Sequence, residues 1–249
     1  MRHLLLLVAV IVLATAAGCE PPGPVTIPAA GTLAKLGPGT HKETADVPGV
    51  GNVKYTIEIP ANNDGSAPVP LVLALHYGYD GAVPEAYTGE GMIESFRPGL
   101  ADFKAIVIAP DVLGGDWTDA KNEQAAVWLV QSAMQTYSVD PKRVIITGYS
   151  MGGEGTWFIG SRHQDVFTAA IPVAAPVAGS TDWKIPIYVI HSQQDEIVSH
   201  GAAKGHADAV KAKGGTIEMK SVTGLTHYDT PSYASYVGEG LKWLEGEWK

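Results

Sequence analysis

Gly148-Tyr149-Ser150-Met151-Gly152-Gly153 is the stretch on which the reading of this chain turns. It stands between a β-branched run, Arg143-Val144-Ile145-Ile146-Thr147, and a segment with helical character, Glu154 to Ser161. A serine with glycine two residues before it and two after, set between strand and helix, is the pattern of a nucleophile elbow. Such a turn is tight enough to strain the serine backbone. A side chain at either flanking position would collide with the neighbouring strand or helix. The hydroxyl is then presented at a helix N-terminus, where backbone N–H groups can stabilise an oxyanion. Chance could produce the pattern in a chain with 29 glycines. The strand before it and the helix after it argue otherwise.

Working outward, Leu71-Val72-Leu73-Ala74-Leu75 is continuously apolar, as a parallel strand buried on both faces should be. The runs at Ala105 to Ala109, Val144 to Thr147, Ala169 to Val173 and Ile187 to Ile190 look the same. Helical segments lie between them, at Met92 to Phe103, Lys121 to Tyr137, Glu154 to Arg162 and Ala202 to Lys213. This alternation predicts an α/β fold: a mostly parallel, doubly wound sheet with helices on both faces. Val53 to Ile59 alternates and predicts an antiparallel strand with one face covered. Asn62 to Pro70 reads as a polar turn, Thr216 to Val222 as a further strand, and Tyr233 to Trp248 as a closing helix. No internal repeat is visible, and no insertion is long enough for a separate lid domain, so the site is expected to be open.

The chain begins with a different kind of segment. Arg2 and His3 form a short basic start, and Leu4 to Ala17 is apolar, too short to span a bilayer comfortably, and ends in small residues. Residues 1–18 therefore read as a secretory signal. Ala16-Ala17-Gly18-Cys19 resembles the lipobox of bacterial lipoproteins, with Ala16 where leucine is usual, which implies a lipid anchor on Cys19 at the cell envelope. Cys19 is the single cysteine, so no intramolecular disulfide can form and stability must come from the core. Residues 19–51, rich in Pro, Gly, Thr and Ala, read as a tether and N-terminal extension, with 52–249 as the catalytic domain. The 17 basic and 26 acidic residues give a formal net charge of −9, and no basic run appears. Nucleic acid and anionic membrane surfaces are thereby argued against as partners.

A serine hydroxyl is a poor nucleophile until a base takes its proton, so Ser150 needs a histidine, and the histidine an orienting carboxylate. Ile187 to Ile190 leads into His191-Ser192-Gln193-Gln194-Asp195, and Thr216 to Val222 leads into Thr223-Gly224-Leu225-Thr226-His227. Ser150, Asp195 and His227 thus follow in order, each just beyond a strand. Glu196 and Asp229 are the rival acids, His191 and His76 the rival bases. Of the two oxyanion donors, one is the amide of Met151, and the other is expected from the loop His76-Tyr77-Gly78-Tyr79, with Gly78 preferred over Tyr77 or Tyr79. The aromatic residues Tyr77, Tyr79, Trp117, Trp183 and Tyr228 are candidates for lining a substrate cleft, while Trp157 is expected in the core.

Together with Tyr137-Ser138-Val139-Asp140-Pro141-Lys142-Arg143 and Gly155-Thr156-Trp157, these features resemble the secreted α/β-hydrolase serine esterases. The similarity is to the carboxylesterase, polyhydroxybutyrate-depolymerase-like and feruloyl-esterase-like group, over about residues 53–245. It implies the α/β-hydrolase fold, a triad of Ser150, Asp195 and His227, and hydrolysis of small or polymeric esters without a cofactor. Two loops depart from the group's pattern. The oxyanion loop usually begins His-Gly and here begins His76-Tyr77-Gly78, and the acid loop has Ser192 where glycine is usual. No His, Cys, Asp or Glu cluster has metal-ligand spacing, and no glycine-rich loop has a nucleotide pattern. The competing readings are a peptidase on the same scaffold and a non-catalytic surface-binding protein.

Overall fold

The computed structural model describes residues 25–63 and 65–248, so the expected signal at 1–18 and Cys19 lie outside the described residues. The strands are β1 (Gly39–Val47), β2 (Gly51–Ile59), β3 (Val69–Leu75), β4 (Ile106–Pro110), β5 (Val139–Tyr149), β6 (Ala169–Val173), β7 (Ile187–Ser192) and β8 (Ile217–Val222). The helices are α1 (Gly89–Leu100), α2 (Ala120–Thr136), α3 (Met151–Arg162), α4 (His200–Ala212) and α5 (Ala234–Glu247), with a 3-10 turn at Thr230–Tyr233 before α5. One eight-stranded sheet runs in the order β1-β2-β4-β3-β5-β6-β7-β8. β1 pairs antiparallel with β2 and β2 with β4, and every other pairing is parallel. This is the α/β-hydrolase fold.

The continuous apolar runs are explained by two cores, one on each face. Leu71, Leu73 and Leu75 of β3 join one core, and Val72 and Ala74 join the other. The same alternation divides Ile106 and Ile108 from Val107 and Ala109 in β4. The first core is closed by α2, α3 and α4, the second by Met92, Ile93 and Phe96 of α1 and Val237, Leu241 and Leu244 of α5. Each large aliphatic or aromatic side chain so buried contributes about 1.5–3 kcal/mol of transfer free energy. No described segment builds a separate cap over the carboxyl ends of the strands.

Several boundaries differ from expectation: β1 (Gly39–Val47), inside the expected tether, already belongs to the sheet, α1 begins at Gly89 rather than Met92, and β5 begins at Val139 rather than Val144. Pro70, expected in a turn, lies inside β3, where the register shifts between Val69 and Leu71. α3 begins at Met151, immediately after the serine. Residues 25–38, expected as part of a tether leading into an ordered N-terminal strand before Val53, lie along α2. The Thr26 and Ala29 carbonyls accept from Gln124 and Trp128, and the Gly31 and Leu33 amides donate to Ser132 and Thr136. The Tyr137 hydroxyl closes the strap through Ala34 and Leu36. A segment without periodicity is held here because α2 supplies side-chain partners for its backbone.

Candidate active site

β5 and α3 meet at Ser150 with φ 54° and ψ −117°, a backbone conformation that side-chain-bearing residues rarely adopt. The glycines on either side permit it. A Cβ on Gly148 would lie 2.3 Å from the Gly152 carbonyl oxygen and 2.8 Å from that of Leu75. One on Gly152 would lie 2.0 Å from the Leu75 oxygen and 2.7 Å from that of His76. Without side chains, the start of α3 sits directly against the end of β3 and the beginning of the 76–79 loop. The Ser150 amide donates to the Val173 carbonyl at 3.0 Å, and the Glu154 amide donates to the Ser150 carbonyl at 2.9 Å. Although Ser150 is the N-cap of α3, its hydroxyl makes no capping bond.

That hydroxyl is 2.8 Å from His227 Nε2, and His227 Nδ1 is 2.9 Å from Asp195 Oδ2. The three residues predicted from separate strand ends are therefore brought into one line. The Asp195 carboxylate is buried, and its second oxygen accepts the amides of Ile197 at 3.0 Å and Val198 at 2.7 Å. Held on both oxygens, it fixes the imidazole with Nδ1–H toward itself and leaves Nε2 free to accept from the serine.

The rival residues have other partners. Asp229 accepts from the amide and the hydroxyl of Thr226 at 2.7 Å each, a local turn. Glu196 accepts the backbone N–H of His227 at 3.0 Å. His76 is fully buried: its Nδ1–H donates to the Tyr77 carbonyl at 2.7 Å and its Nε2 accepts from the Val112 amide at 3.2 Å. Burial holds its pKa below the ordinary histidine value. His191 is buried too, with Nε2 3.1 Å from the Val198 carbonyl and, more distantly, 3.4 Å from Asp195 Oδ2, and burial likewise lowers its pKa.

Two candidates for substrate contact are not at the surface. Trp117 is 1 % exposed, donates its indole N–H to the His76 carbonyl at 2.9 Å and supports the 76–79 loop from beneath. Trp183 is 3 % exposed, packs edge-on to Trp157 at 5.7 Å and donates to the Ser180 carbonyl. Both indoles fit against α3 where Gly155 and Gly160 carry no side chain. Inside the protein each ring buries its apolar body and satisfies its one donor, which explains why neither faces solvent. Trp157 is fully buried, as expected. Tyr77 and Tyr79 are half-buried, and the Tyr79 hydroxyl donates to the Gly115 carbonyl at 2.9 Å. Gly78 is exposed between them, while Met151 is half-buried against the first core. Tyr228 is 75 % exposed, its ring 5.8 Å from that of His227.

Sequence reasoning missed two supports. The hydroxyl of Tyr149, a buried residue, donates to the His227 carbonyl, and burial raises its pKa. Asp111, just past β4, accepts the amides of Tyr87 at 2.5 Å and Gly89 at 3.0 Å and so anchors the loop before α1. Only their positions beside Ser150 and at a strand end mark them in the sequence.

The model of the dienelactone hydrolase family matches residues 73–237, more than half of the chain. The chain belongs to the dienelactone hydrolase family. It is 25% identical over 152 residues to a putative carboxymethylenebutenolidase of Aquifex aeolicus, covering 51% of this chain and 64% of that one. It is also 25% identical over 155 residues to a probable feruloyl esterase C of Aspergillus niger, covering 58% and 56% respectively. A thermostable esterase of known structure superposes with a TM-score of 0.69 at 22% identity, covering 83% of this chain and 62% of that one. The chain thus spans less than two thirds of the length of each of these relatives, and the structural likeness is one of fold.

Proposed function

We propose that this member of the dienelactone hydrolase family is a cofactor-free serine esterase acting on carboxylic esters. The observation that carries the reading is the line of contacts from Ser150 Oγ through the His227 ring to Asp195, beginning at a strained serine. His227 Nε2 takes the Ser150 proton as Oγ attacks the ester carbonyl, and Asp195 stabilises the imidazolium that forms. The tetrahedral oxyanion accepts from the amides of Met151 and Gly78. On collapse, His227 protonates the departing alkoxide and an acyl-serine remains. Water, deprotonated by His227, then releases the acid and restores the hydroxyl.

The acyl or alcohol group is apolar or aromatic in this reading, and polymeric esters fit it. Val83, Val177, Ile197 and Tyr228 are exposed, and they stand in the loops after β3, β6, β7 and β8, on the sheet edge that carries Ser150. Tyr77 and Tyr79 border the same edge. A panel of p-nitrophenyl esters and peptide anilides tests the reaction class. Ester turnover abolished in Ser150→Ala is expected, and dominant turnover of the anilides would overturn the reading.

The protein is held at the cell envelope by a lipid on Cys19. The strap at residues 25–38 favours an N-terminal anchor that keeps the site near the envelope, because Thr26 meets Gln124 near the N-terminal end of α2, at the carboxyl edge of the sheet. Cys19→Ala is expected to move the protein from the membrane fraction to the soluble one. An unchanged distribution would refute the anchor.

A further inference from the structure

The loop that carries Asp195 grips the loop that carries His227 by more than the imidazole. Ser192 Oγ donates to the Leu225 carbonyl at 2.6 Å, the Gly224 amide donates to Gln194 Oε1 at 2.7 Å, and the His227 amide donates to Glu196 Oε2 at 3.0 Å. Before them, the Gln193 amide donates to the Val222 carbonyl at the end of the β7–β8 pairing. The sheet ladder ends there, and residues 223–229 form neither helix nor strand. Side chains of the acid loop therefore continue the ladder past the sheet, along the segment that delivers His227.

We propose that Glu196 and Ser192 are positioning residues for His227, acting through its backbone. The proposal rests on the reading of Ser150, His227 and Asp195 as the reacting set. Glu196 holds the peptide N–H of His227, and the Tyr149 hydroxyl holds its carbonyl. Together they fix the two peptide planes that flank the histidine Cα and so the direction of its Cβ. With that direction set, one ring orientation satisfies both Asp195 Oδ2 and Ser150 Oγ. The Glu196 bond is charge-assisted, with a carboxylate accepting from a backbone amide. Ser192 is fully buried, accepts from the Gln194 amide at 3.2 Å and donates to Leu225, so its hydroxyl ties the acid loop to itself and to the base loop. A glycine there could make neither side-chain bond.

The test uses the full chain and p-nitrophenyl acetate, with Glu196→Ala, Glu196→Gln, Ser192→Ala and Ser150→Ala compared by kcat, KM and melting temperature. Positional errors of a fraction of an ångström in a base lower kcat by roughly tenfold, rising to about a hundredfold at 1 Å. Glu196→Ala is expected to lower kcat about tenfold with KM within twofold, because the residue touches no substrate. Glu196→Gln should restore most of that loss, since an amide oxygen can accept the same N–H. Ser192→Ala should lower kcat in the same direction, again without a matching change in KM. A kcat for Glu196→Ala within twofold of the wild type, or a Gln variant as slow as the Ala variant, overturns the proposal. Full turnover by Ser150→Ala would instead sink the reading beneath it, so the two failures are distinguishable.

Discussion

Replacing Gly152 by alanine tests the elbow most severely, because the added methyl has nowhere to go. Its carbon would lie 2.0 Å from the Leu75 carbonyl oxygen, 2.5 Å from the Leu75 carbonyl carbon and 2.7 Å from the His76 oxygen. All three are backbone atoms in or just beyond β3, so no side chain can swing aside. Reaching even 3.0 Å from the Leu75 oxygen requires α3 and β3 to separate by about 1 Å. Ser150 sits at the first turn of α3 and would move with it, away from His227 on the loop after β8. A displacement of 1 Å at a reacting centre costs about a hundredfold, equivalent to about 2.7 kcal/mol of barrier. Overpacking adds about 1–3 kcal/mol of lost stability, or about 2–12 °C of melting temperature for a chain of this size. Gly152→Ala is therefore expected to lose about two decades of kcat/KM on p-nitrophenyl acetate while remaining folded. A variant within threefold of wild type would refute the claim that the glycine is there for close approach.

The remaining predictions concern other parts of the molecule. Gly205→Ala in α4, where a Cβ meets nothing within 4 Å, should raise stability by about 1 kcal/mol and leave kcat/KM unchanged in the same assays. Glu123 is buried between α2 and α3, accepting from Arg162 at 2.7 Å and His163 at 2.8 Å. Removing that carboxylate in Glu123→Gln should cost about 3–5 kcal/mol, read as a drop of about 6–20 °C in melting temperature. Burial alone would push the Glu123 pKa up, but the bonds from His163 and Arg162 outweigh it and hold the pKa below the ordinary 4.5. Its contribution is thus complete above pH 4.5 and is lost as pH falls through the lower folded value, so wild type should lose stability there by a slope that Glu123→Gln lacks. Tyr228→Ala should leave melting unchanged and raise KM about three- to tenfold for the p-nitrophenyl ester of an aromatic acid but not for p-nitrophenyl acetate, since the ring is 75 % exposed. Equal KM changes for both esters would remove Tyr228 from substrate contact.

The fold was legible because its strands are buried on both faces. Leu71 to Leu75 must serve two cores at once, and an unbroken apolar run is the sequence trace of that duty. Ser150 was legible because the elbow demands glycine where collisions forbid anything larger, and Asp195 and His227 because each stands just past a strand. What stayed hidden depends on direction and on backbone bonds. Trp117 and Trp183 follow strands as a cleft residue would, but their rings turn inward because Gly155 and Gly160 on another element leave room. Glu196 was legible as a carboxylate near the base, yet its partner is the amide of His227, and peptide groups leave no sequence signal. The strap along α2 was read as a tether for the same reason. Its bonds reach partners about a hundred residues away, such as Gly31 to Ser132, and no local pattern records them.

The central claim is that ester cleavage passes through an acyl group on Ser150. Acid quenching of the wild-type enzyme during turnover of p-nitrophenyl acetate, followed by peptide mass spectrometry, tests it directly. An acetyl group on the peptide containing Ser150, absent in Ser150→Ala together with turnover, is the result the account predicts. Sustained ester turnover with Ser150 unmodified, or undiminished in Ser150→Ala, would contradict it.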